Sequence, residues 1–311
     1  MVAPSPSPQP PHARGGGEES VTLTILLQVA VGGLLMGLIY ALVAAGLSLI
    51  FGLMDVVNFA HGELLMLGMY ATYVVWLATG LDPLLLLIPV AIALFAVGVA
   101  IYHLLIARAL SVRFNRGMVQ IFVTFGLAIL LRGAAQFAFG SDFKSVSTSL
   151  LAGHTIDLGG VFVPLPQLAA GIVSLIAFGA LLAVSRTEFG RALEATREDR
   201  EAVALIGIDR DRIFALGWGL GAAAVGIAGV MLATFYYVSP NVGANFALIA
   251  YVTVALGGFG SLFGALVAGL LIGLVEALTA LLFEPSLKQV GMFAIYLAVL
   301  MFRPRGLFGT L

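Results

Sequence analysis

The sequence predicts an all-α integral membrane protein, a polytopic helical bundle with about eight transmembrane helices. Two observations predict this class. Only 10% of the 311 residues are charged and 61% are hydrophobic, whereas a water-soluble domain carries roughly 25% charged residues. The apolar residues also form runs long enough to cross a bilayer, which takes about 20 residues of helix.

The apolar runs define the expected spans. They occupy 22–51, 61–79, 84–106, 118–139, 167–185, 213–237, 246–259, 262–283 and 287–302. The first run is long enough for one tilted span or two short ones, and the short run at 246–259 suits a broken or re-entrant helix. We expect eight spans, with nine or ten as alternatives, and broken or re-entrant helices near 55–63 and 257–264.

The N-terminal residues differ in composition from the rest of the chain. Residues 1–20 are rich in Pro, Gly and Ser and lack the charged start and apolar core of a signal peptide. We expect a disordered tail here and one transmembrane domain over 21–311. The chain has no cysteine, which excludes disulfides, thiol catalysis and zinc–thiolate sites.

Lysine and arginine predict the orientation, because cytoplasmic loops are enriched in them. Segments 106–117 and 186–212 carry nine arginines and the C-terminus carries two more, whereas the loops between them hold only two lysines. We therefore predict that these arginine-rich segments are cytoplasmic and that 140–166 lies outside. The side of the N-terminus depends on whether 22–51 crosses once or twice.

Four polar side chains interrupt the apolar pattern at Asp55, Asn58, His61 and Glu63. They could form an ordinary turn between spans, since Asp and Asn favour turns. However, an ionisable group at depth costs roughly 2.5–3.5 kcal/mol and usually faces protein or water. We favour a broken helix that enters the solute path, at the cytoplasmic end of the 61–79 span. A metal site is not expected, because His-x-Glu lacks the H-E-x-x-H pattern.

Glycines suggest close packing and a second break. The pairs Gly33-x-x-x-Gly37, Gly217-x-x-x-Gly221 and Gly269-x-x-x-Gly273 are candidates for close helix contact. The stretch GGFGSLFG at 257–264 has two interpretations, tight packing or a hinge that exposes backbone groups to a cavity. Arg132 and Glu276 lie inside predicted spans; we expect each to be buried against protein, and their predicted depths allow them to pair.

Segment 186–212 is the most charged part of the chain, with six arginines and seven acidic residues. Its stretch 190–205 is rich in Ala, Leu, Glu and Arg and predicts a helix, and Gly207 is a natural stop. One interpretation is a solvated loop. The other is a docking helix for a soluble partner, because dense mixed charge suits a specific protein interface better than a lipid surface.

Several motifs, in order, resemble those of permease subunits of bacterial branched-chain amino-acid ABC importers. NFAHG stands at 58–62, LGGFGSLFGA at 256–265 and RPRGLFG at 303–309. Glu194-Ala195, followed after eleven residues by Gly207-Ile208, is similar to the coupling-loop motif of such permeases. The N-terminal 20 residues depart from the family, whose members usually start close to their first span.

The resemblance implies a transport subunit rather than an enzyme, in the inner or plasma membrane of a bacterium or archaeon. It implies a second homologous permease, two cytoplasmic ATPase subunits and an extracytoplasmic solute-binding protein as partners. ATP would be used by those partners, with no cofactor in this chain, which contains no G-x-x-x-x-G-K-[ST] phosphate loop. No basic patch of the nucleic-acid-binding type occurs, so no nucleic-acid partner is expected. Membrane lipid is a further expected partner.

Branched-chain amino acids are the implied solutes, and permeases for urea or short amides are the alternative within the family. A different class, an ion-coupled secondary transporter using His61, Glu63 or Glu276, would need no docking helix. The candidate residues for the translocation path are Asn58, His61, Glu63, Gly257, Gly258, Gly260 and Ser261. Those for coupling to the ATPases are Arg191, Glu194, Ala195 and Gly207. No catalytic or metal-binding residues are expected.

Overall fold

The structure, a computed structural model, is a helical membrane bundle, as predicted. It describes residues 16–54, 57–112, 115–147, 149–198, 203 and 207–309. Eight of the helices in these ranges are long and apolar enough to cross a membrane, and Val242–Gly257 is a shorter apolar helix. This agrees with the eight expected spans and with the short run at 246–259.

The elements follow one another as the apolar runs predict. The long helices are α1 (Gly16–Met54), α2 (His61–Thr79), α3 (Pro83–Ser111, with a π-helical turn at Tyr102–Ile106), α4 (Arg116–Phe139) and α5 (Leu165–Ser185). They continue with the short α6 (Glu188–Glu198), then α7 (Arg210–Ala233), α8 (Val242–Gly257), α9 (Leu262–Leu282) and α10 (Lys288–Phe302). A small antiparallel hairpin, β1 (Thr155–Asp157) and β2 (Phe162–Pro164), precedes α5.

Helix α1 is a single element, so 22–51 crosses once. It has 39 residues, about 58 Å at 1.5 Å per residue. It begins at Gly16, inside the expected tail, and no proline interrupts it before Met54. Residues 1–15 of that tail lie outside the described residues.

Glycines let the central helices approach closely, as their spacing predicts. A Cβ placed on Gly37 would lie 2.8 Å from the Gly269 oxygen, and one on Gly33 would lie 2.8 Å from the Gly273 oxygen. Both pairs join α1 to α9. Gly221 of α7 meets α1 in the same way, since its Cβ would lie 2.8 Å from the Gly46 oxygen. Small residues therefore bring three backbones together at the centre, where no hydrophobic force holds helices together in lipid.

The loops gather at two ends of the bundle, in the grouping that the charges predict. At the arginine-poor end, the backbone N–H groups of Lys144 and Val238 each donate to the other's carbonyl, at 2.9 and 2.7 Å. At the arginine-rich end, the Tyr102 hydroxyl donates to Asp211 at 2.8 Å. Gln28, near the start of α1, bonds to the backbone of Phe162 in β2, so α1 starts at the arginine-poor end.

The outer helices carry large apolar side chains on their surface. Phe122, Phe137 and Leu130 of α4 are exposed, as are Ile88 of α3 and Met301 of α10. By contrast, α7 is largely buried from Ile213 onward. A helix that is apolar all round and surrounded by others belongs in the core, whereas an exposed apolar face suits lipid or another membrane subunit.

Candidate functional site

The first break in the bundle lies between the end of α1 at Met54 and the start of α2 at His61. Asn58 is fully buried, and its Oδ1 accepts a hydrogen bond from the Ala60 N–H at 3.0 Å. The His61 N–H donates to the Asn58 carbonyl at 3.3 Å. Asn58 therefore organises the turn before α2 rather than sharing a helix face with His61. Asp55 lies outside the described residues.

This first break lies at the end of α2 nearer the arginine-rich loops, as expected, but it lies beside the middle of α1 rather than at the end of the bundle. The His61 Nε2 is 2.9 Å from the Val43 carbonyl oxygen, and Val43 precedes Met54 by about three helical turns. Met54 itself lies near the arginine-rich end, where its sulfur accepts from Gln120 at 3.2 Å. The chain therefore returns along α1 before α2 begins.

Glu63 and Arg132 form an ion pair across the bundle. The Arg132 Nε donates to Glu63 Oε1 at 3.2 Å and a second guanidinium nitrogen binds the same oxygen. The Glu63 side chain is 1% exposed, whereas that of Arg132 is 38% exposed. The expected burial of Arg132 is therefore wrong, because α4 leaves part of this side chain outside the packed bundle. Arg132 does not pair with Glu276, although their predicted depths allowed it, because α2 begins deep enough to bring Glu63 to the level of Arg132.

Neither His61 nor Glu63 is arranged to bind a metal. His61 contacts a backbone carbonyl and Glu63 binds an arginine. Among the described residues, no three side chains of the His, Asp and Glu types are grouped as a metal site needs.

Helix α8 holds the first break in place. Gly62 and Gly243 lie against each other, so that a Cβ on Gly243 would be 2.6 Å from the Gly62 oxygen. Two turns further along α8, the Tyr251 hydroxyl lies 3.3 Å from the Asn58 carbonyl and 3.1 Å from the Phe59 carbonyl. One aromatic side chain thus satisfies the exposed backbone of the break, as irregular backbone at membrane depth requires.

The second break separates α8 from α9 at 258–261. Gly258 and Gly260 have φ angles of 103° and 79°, a left-handed region that glycine adopts without a Cβ penalty. The Ser261 Oγ accepts from the Gly264 N–H at 3.0 Å and caps α9. Gly257 packs directly on Gly264. The structure therefore shows both a helix break and tight packing here.

The C-terminal segment 303–309 completes this second break, a contact that sequence reasoning missed. The Leu307 N–H donates to the Leu256 carbonyl at 2.8 Å, and the Phe308 N–H donates to the Gly257 carbonyl at 3.0 Å. These bonds satisfy carbonyls that the end of α8 leaves without partners in the helix. The motifs at 256–265 and 303–309 thus form one structural unit.

A cavity of about 280 Å³ connects the two breaks. Val57 lines it beside the first break and Phe259 lines it beside the second, with Phe51, Tyr251 and Tyr296 between them. Asn58, His61 and Glu63 do not line it, since each is at most 1% exposed. Within the single chain these three side chains are therefore buried behind the residues that line the cavity.

Two of these buried groups retain unused hydrogen-bonding capacity. Asn58 Nδ2 and His61 Nδ1 have no partner among the described residues. Leaving a buried polar atom unpaired costs about 1–3 kcal/mol, so a protein normally keeps such atoms only where something else uses them.

The charged segment 186–212 contains an amphipathic helix, α6. Glu188, Arg191 and Glu194 are exposed, while Gly190 and Thr196 are buried. The exposed residues recur every three positions and so form one face. The helix is shorter than the predicted 190–205, of which 199–202 and 204–206 lie outside the described residues.

The residues after α6 fit the expected sharp exit. Gly207 has a φ of 84° and no atom within 4 Å of a Cβ built on it. Its left-handed backbone turns the chain toward α7, whose N-cap Asp209 accepts from the N–H groups of Asp211 and Arg212. The left-handed backbone that a sharp exit would need is present at Gly207, while its role in coupling stays a prediction.

A cavity of about 230 Å³ separates α6 from the second break. Glu194 and Gly190 line it on the α6 side, Gly260 and Leu262 line it on the α9 side, and Ser48 of α1 lines it as well. Ala195, adjacent to Glu194, is half-buried. Movement of α6 would act first on α1, α5 and α7, against which it packs, whereas the glycine-rich break lies across the cavity.

Comparison with known proteins agrees with this architecture. The family model described as the branched-chain amino acid transport system permease component matches residues 29–300. The chain belongs to this permease family.

Relatives within the family cover most of the chain. It is 33% identical to the high-affinity branched-chain amino acid transport system permease protein BraD of Pseudomonas aeruginosa and 31% identical to LivH of Escherichia coli, over 91% of this chain and 95% of each relative. It is also 33% identical to LivM of Escherichia coli over 150 residues, which are 47% of this chain and 34% of that one. No solved structure matches the chain.

The permease also contains a buried carboxylate away from both breaks. Glu276 is 5% exposed, and its Oε2 accepts a hydrogen bond from the Tyr40 hydroxyl at 2.7 Å. Burial of Glu276 agrees with prediction, but its tyrosine partner was not foreseen. Tyr40 falls in the middle of an apolar run, where no local pattern marks an aromatic hydroxyl as a partner for a distant carboxylate.

Proposed function

We propose that this permease is the membrane-spanning subunit of an ATP-driven importer that carries branched-chain amino acids across the inner membrane of a bacterium or archaeon. The relatives named for high-affinity branched-chain amino acid transport support this substrate class, because they match nearly the whole chain. ATP would be hydrolysed by separate subunits, since the chain has no phosphate-binding loop of the G-x-x-x-x-G-K-[ST] type.

The exposed face of α6 is the observation that best supports coupling to such subunits. Its side chains alternate in charge, with Arg191 71% and Glu188 95% exposed. A surface of mixed charge discriminates between protein partners through complementary potentials. We assign Arg191, Glu194 and Ala195 to contact with an ATPase subunit, and Gly207 to the exit that sets the direction of α7.

The two breaks form the proposed translocation path. The cavity between them is largely apolar, as expected for a passage that receives aliphatic side chains. Asn58, His61 and Glu63 would hold the first break in place behind the lining residues on one side, and Gly257, Gly258, Gly260 and Ser261 would form the hinge on the other. A pull on α6 would reach this hinge through α1, which packs against both α6 and α9.

The proposed partners follow from this arrangement. A second homologous permease, two ATPase subunits and an extracytoplasmic solute-binding protein would complete the importer. The partial match to LivM, a high-affinity branched-chain amino acid transport system permease protein, supports a related second permease. The apolar surfaces of α4 and α10 are available to that subunit and to lipid.

Reconstitution tests the proposal. The permease is placed in liposomes with and without the second permease, the ATPases and the binding protein encoded beside it, and uptake of labelled leucine, isoleucine, valine and urea is measured. We expect ATP-dependent uptake of the three amino acids by the complete assembly only. Accumulation by the lone chain under a proton or sodium gradient would instead support an ion-coupled carrier.

The variant Glu194→Arg tests the coupling assignment. We expect lower ATPase co-purification and lower uptake, because the substitution reverses a charge at the proposed interface. Glu284→Arg is the matched control, since Glu284 is exposed at the other end of the bundle. Equal ATPase retention in the two variants would mean that α6 is a solvated loop.

A further inference from the structure

A second cavity, of about 330 Å³, lies between α1, α5 and α9, and neither break contributes to it. Its apolar wall includes Val29, Met36, Ala277 and Ala280. The volume is at the lower end of the roughly 300–1,000 Å³ of small-molecule sites. We refer to it as the Glu276 cavity.

One carboxylate oxygen at the wall of this cavity is buried and has no partner among the described residues. Glu276 Oε1 has no hydrogen-bond partner among the described residues, whereas Oε2 is held by Tyr40. The side chain is 5% exposed and lines the cavity. A carboxylate in such a place is costly without a cation or donor, and Tyr40 supplies only one neutral donor.

The cavity also has one cationic and one neutral polar side chain. Lys288, the first residue of α10, and Gln167, near the start of α5, both line it and are half-buried. Both helix ends belong to the arginine-poor end, which is predicted to face outside. The cavity therefore combines a buried anion, an apolar wall and a cation near its outer end.

We propose that the Glu276 cavity binds a small aliphatic amino acid as a zwitterion, an inference that rests on the proposed function and adds a solute site to it. The free Glu276 oxygen receives the α-ammonium group through a charge-assisted hydrogen bond. Lys288 and Gln167 face the α-carboxylate, and the side chain packs against Val29 and Met36. Tyr40 is a positioning residue that fixes the carboxylate.

Protection from thiol labelling tests this site directly. The chain has no native cysteine, so Ala280→Cys gives a single thiol in the cavity wall. The assembled transporter carrying this substitution is treated with a membrane-impermeant sulfonate thiol reagent in the presence of leucine, 3-methylbutylamine or 4-methylpentanoate. We expect leucine and the amine to slow labelling, and the acid without an amino group to have no effect.

When Glu276→Gln is combined with Ala280→Cys, the leucine concentration that gives half-protection should rise roughly tenfold or more. This is the loss of affinity expected when one charge-assisted hydrogen bond is removed. Glu284→Gln, the same neutralisation at an exposed site outside the cavity, should leave protection unchanged. Lys288→Gln should weaken protection by leucine but not by the amine, which has no carboxylate. Because a folding defect would affect protection by both compounds, this difference distinguishes a lost contact from misfolding.

Two outcomes would overturn the site: no protection by leucine, or equal protection with Glu276 and with Gln at that position. Leucine uptake by the assembly without introduced cysteines is measured separately. Loss of uptake there would contradict the proposed function, whereas normal uptake without protection would contradict only this cavity.

Discussion

At the scale of single residues, the polar groups within the bundle fall into paired and unpaired sets. Glu63 is satisfied by Arg132, and Glu276 by Tyr40 on one oxygen only. Asn58 uses its oxygen in a turn and leaves its nitrogen unpaired. At the positions with unpaired atoms, the contacts within the fold do not account for the choice of a polar residue.

Asn58 allows the turn and path interpretations to be separated. Asn58→Leu removes both the acceptor for the Ala60 N–H and the free donor, whereas Asn58→Ser keeps a short acceptor for that turn. If the donor serves the solute path, both variants should lower uptake while assembly stays normal. Recovery of full uptake in the serine variant, scored against protein recovered in the complex, would instead assign Asn58 to the turn.

The Glu63–Arg132 pair makes a prediction about stability. Arg132→Gln leaves a buried carboxylate without its cation, which costs about 3–5 kcal/mol. We expect a lower thermal unfolding midpoint for the purified complex in detergent. Replacing both residues with glutamine should recover much of the loss, because it removes the unpaired charge. A single variant as stable as the wild type would show that the pair contributes little.

At the scale of elements, glycine spacing predicted helix contacts correctly. Gly37→Ala in α1 should destabilise the bundle by about 1–3 kcal/mol, the usual cost of overpacking, because the new Cβ would lie 2.8 Å from both Gly269 O and Leu270 Cα of α9. Gly126→Ala in α4 is the control, since no atom lies within 4 Å of its added Cβ. Thermal midpoints that fall equally in both would contradict close α1–α9 packing.

A separate prediction concerns Gly207, where the chain leaves α6 toward α7. Gly207→Val forces a β-branched residue into a left-handed conformation, at a cost of roughly 1–2 kcal/mol. Since no atom lies within 4 Å of the added Cβ, this cost is a backbone effect. Gly207→Asn should be milder, because asparagine tolerates that region. We expect the amount of solute taken up per ATP hydrolysed to fall more in the Gly207→Val variant than in the Gly207→Asn variant. Equal ratios in the two variants would mean that the backbone conformation of Gly207 does not contribute to coupling.

At the scale of the whole molecule, the sequence predicted the spans better than their depths. Apolar runs reveal crossing helices because lipid demands about 20 apolar residues. They do not reveal that α2 begins beside Val43, since this depends on packing against α8. That Arg132 pairs with Glu63 and not with Glu276 has the same origin: position along a span gives an approximate depth but not which neighbour a side chain faces.

The grouping of loops at two ends makes the orientation testable. The structure places 140–147 with 234–241 at one end, and the start of α7 with the end of α3 at the other. Lysine and arginine bias predicts that the second end is cytoplasmic. Because native cysteine is absent, Ser147→Cys and Glu198→Cys, both at exposed positions, give clean reporters. An impermeant thiol reagent should label the first in intact cells and the second only after permeabilisation. The reverse pattern would invert the bundle, place α6 outside the cell and remove it from reach of any cytoplasmic ATPase.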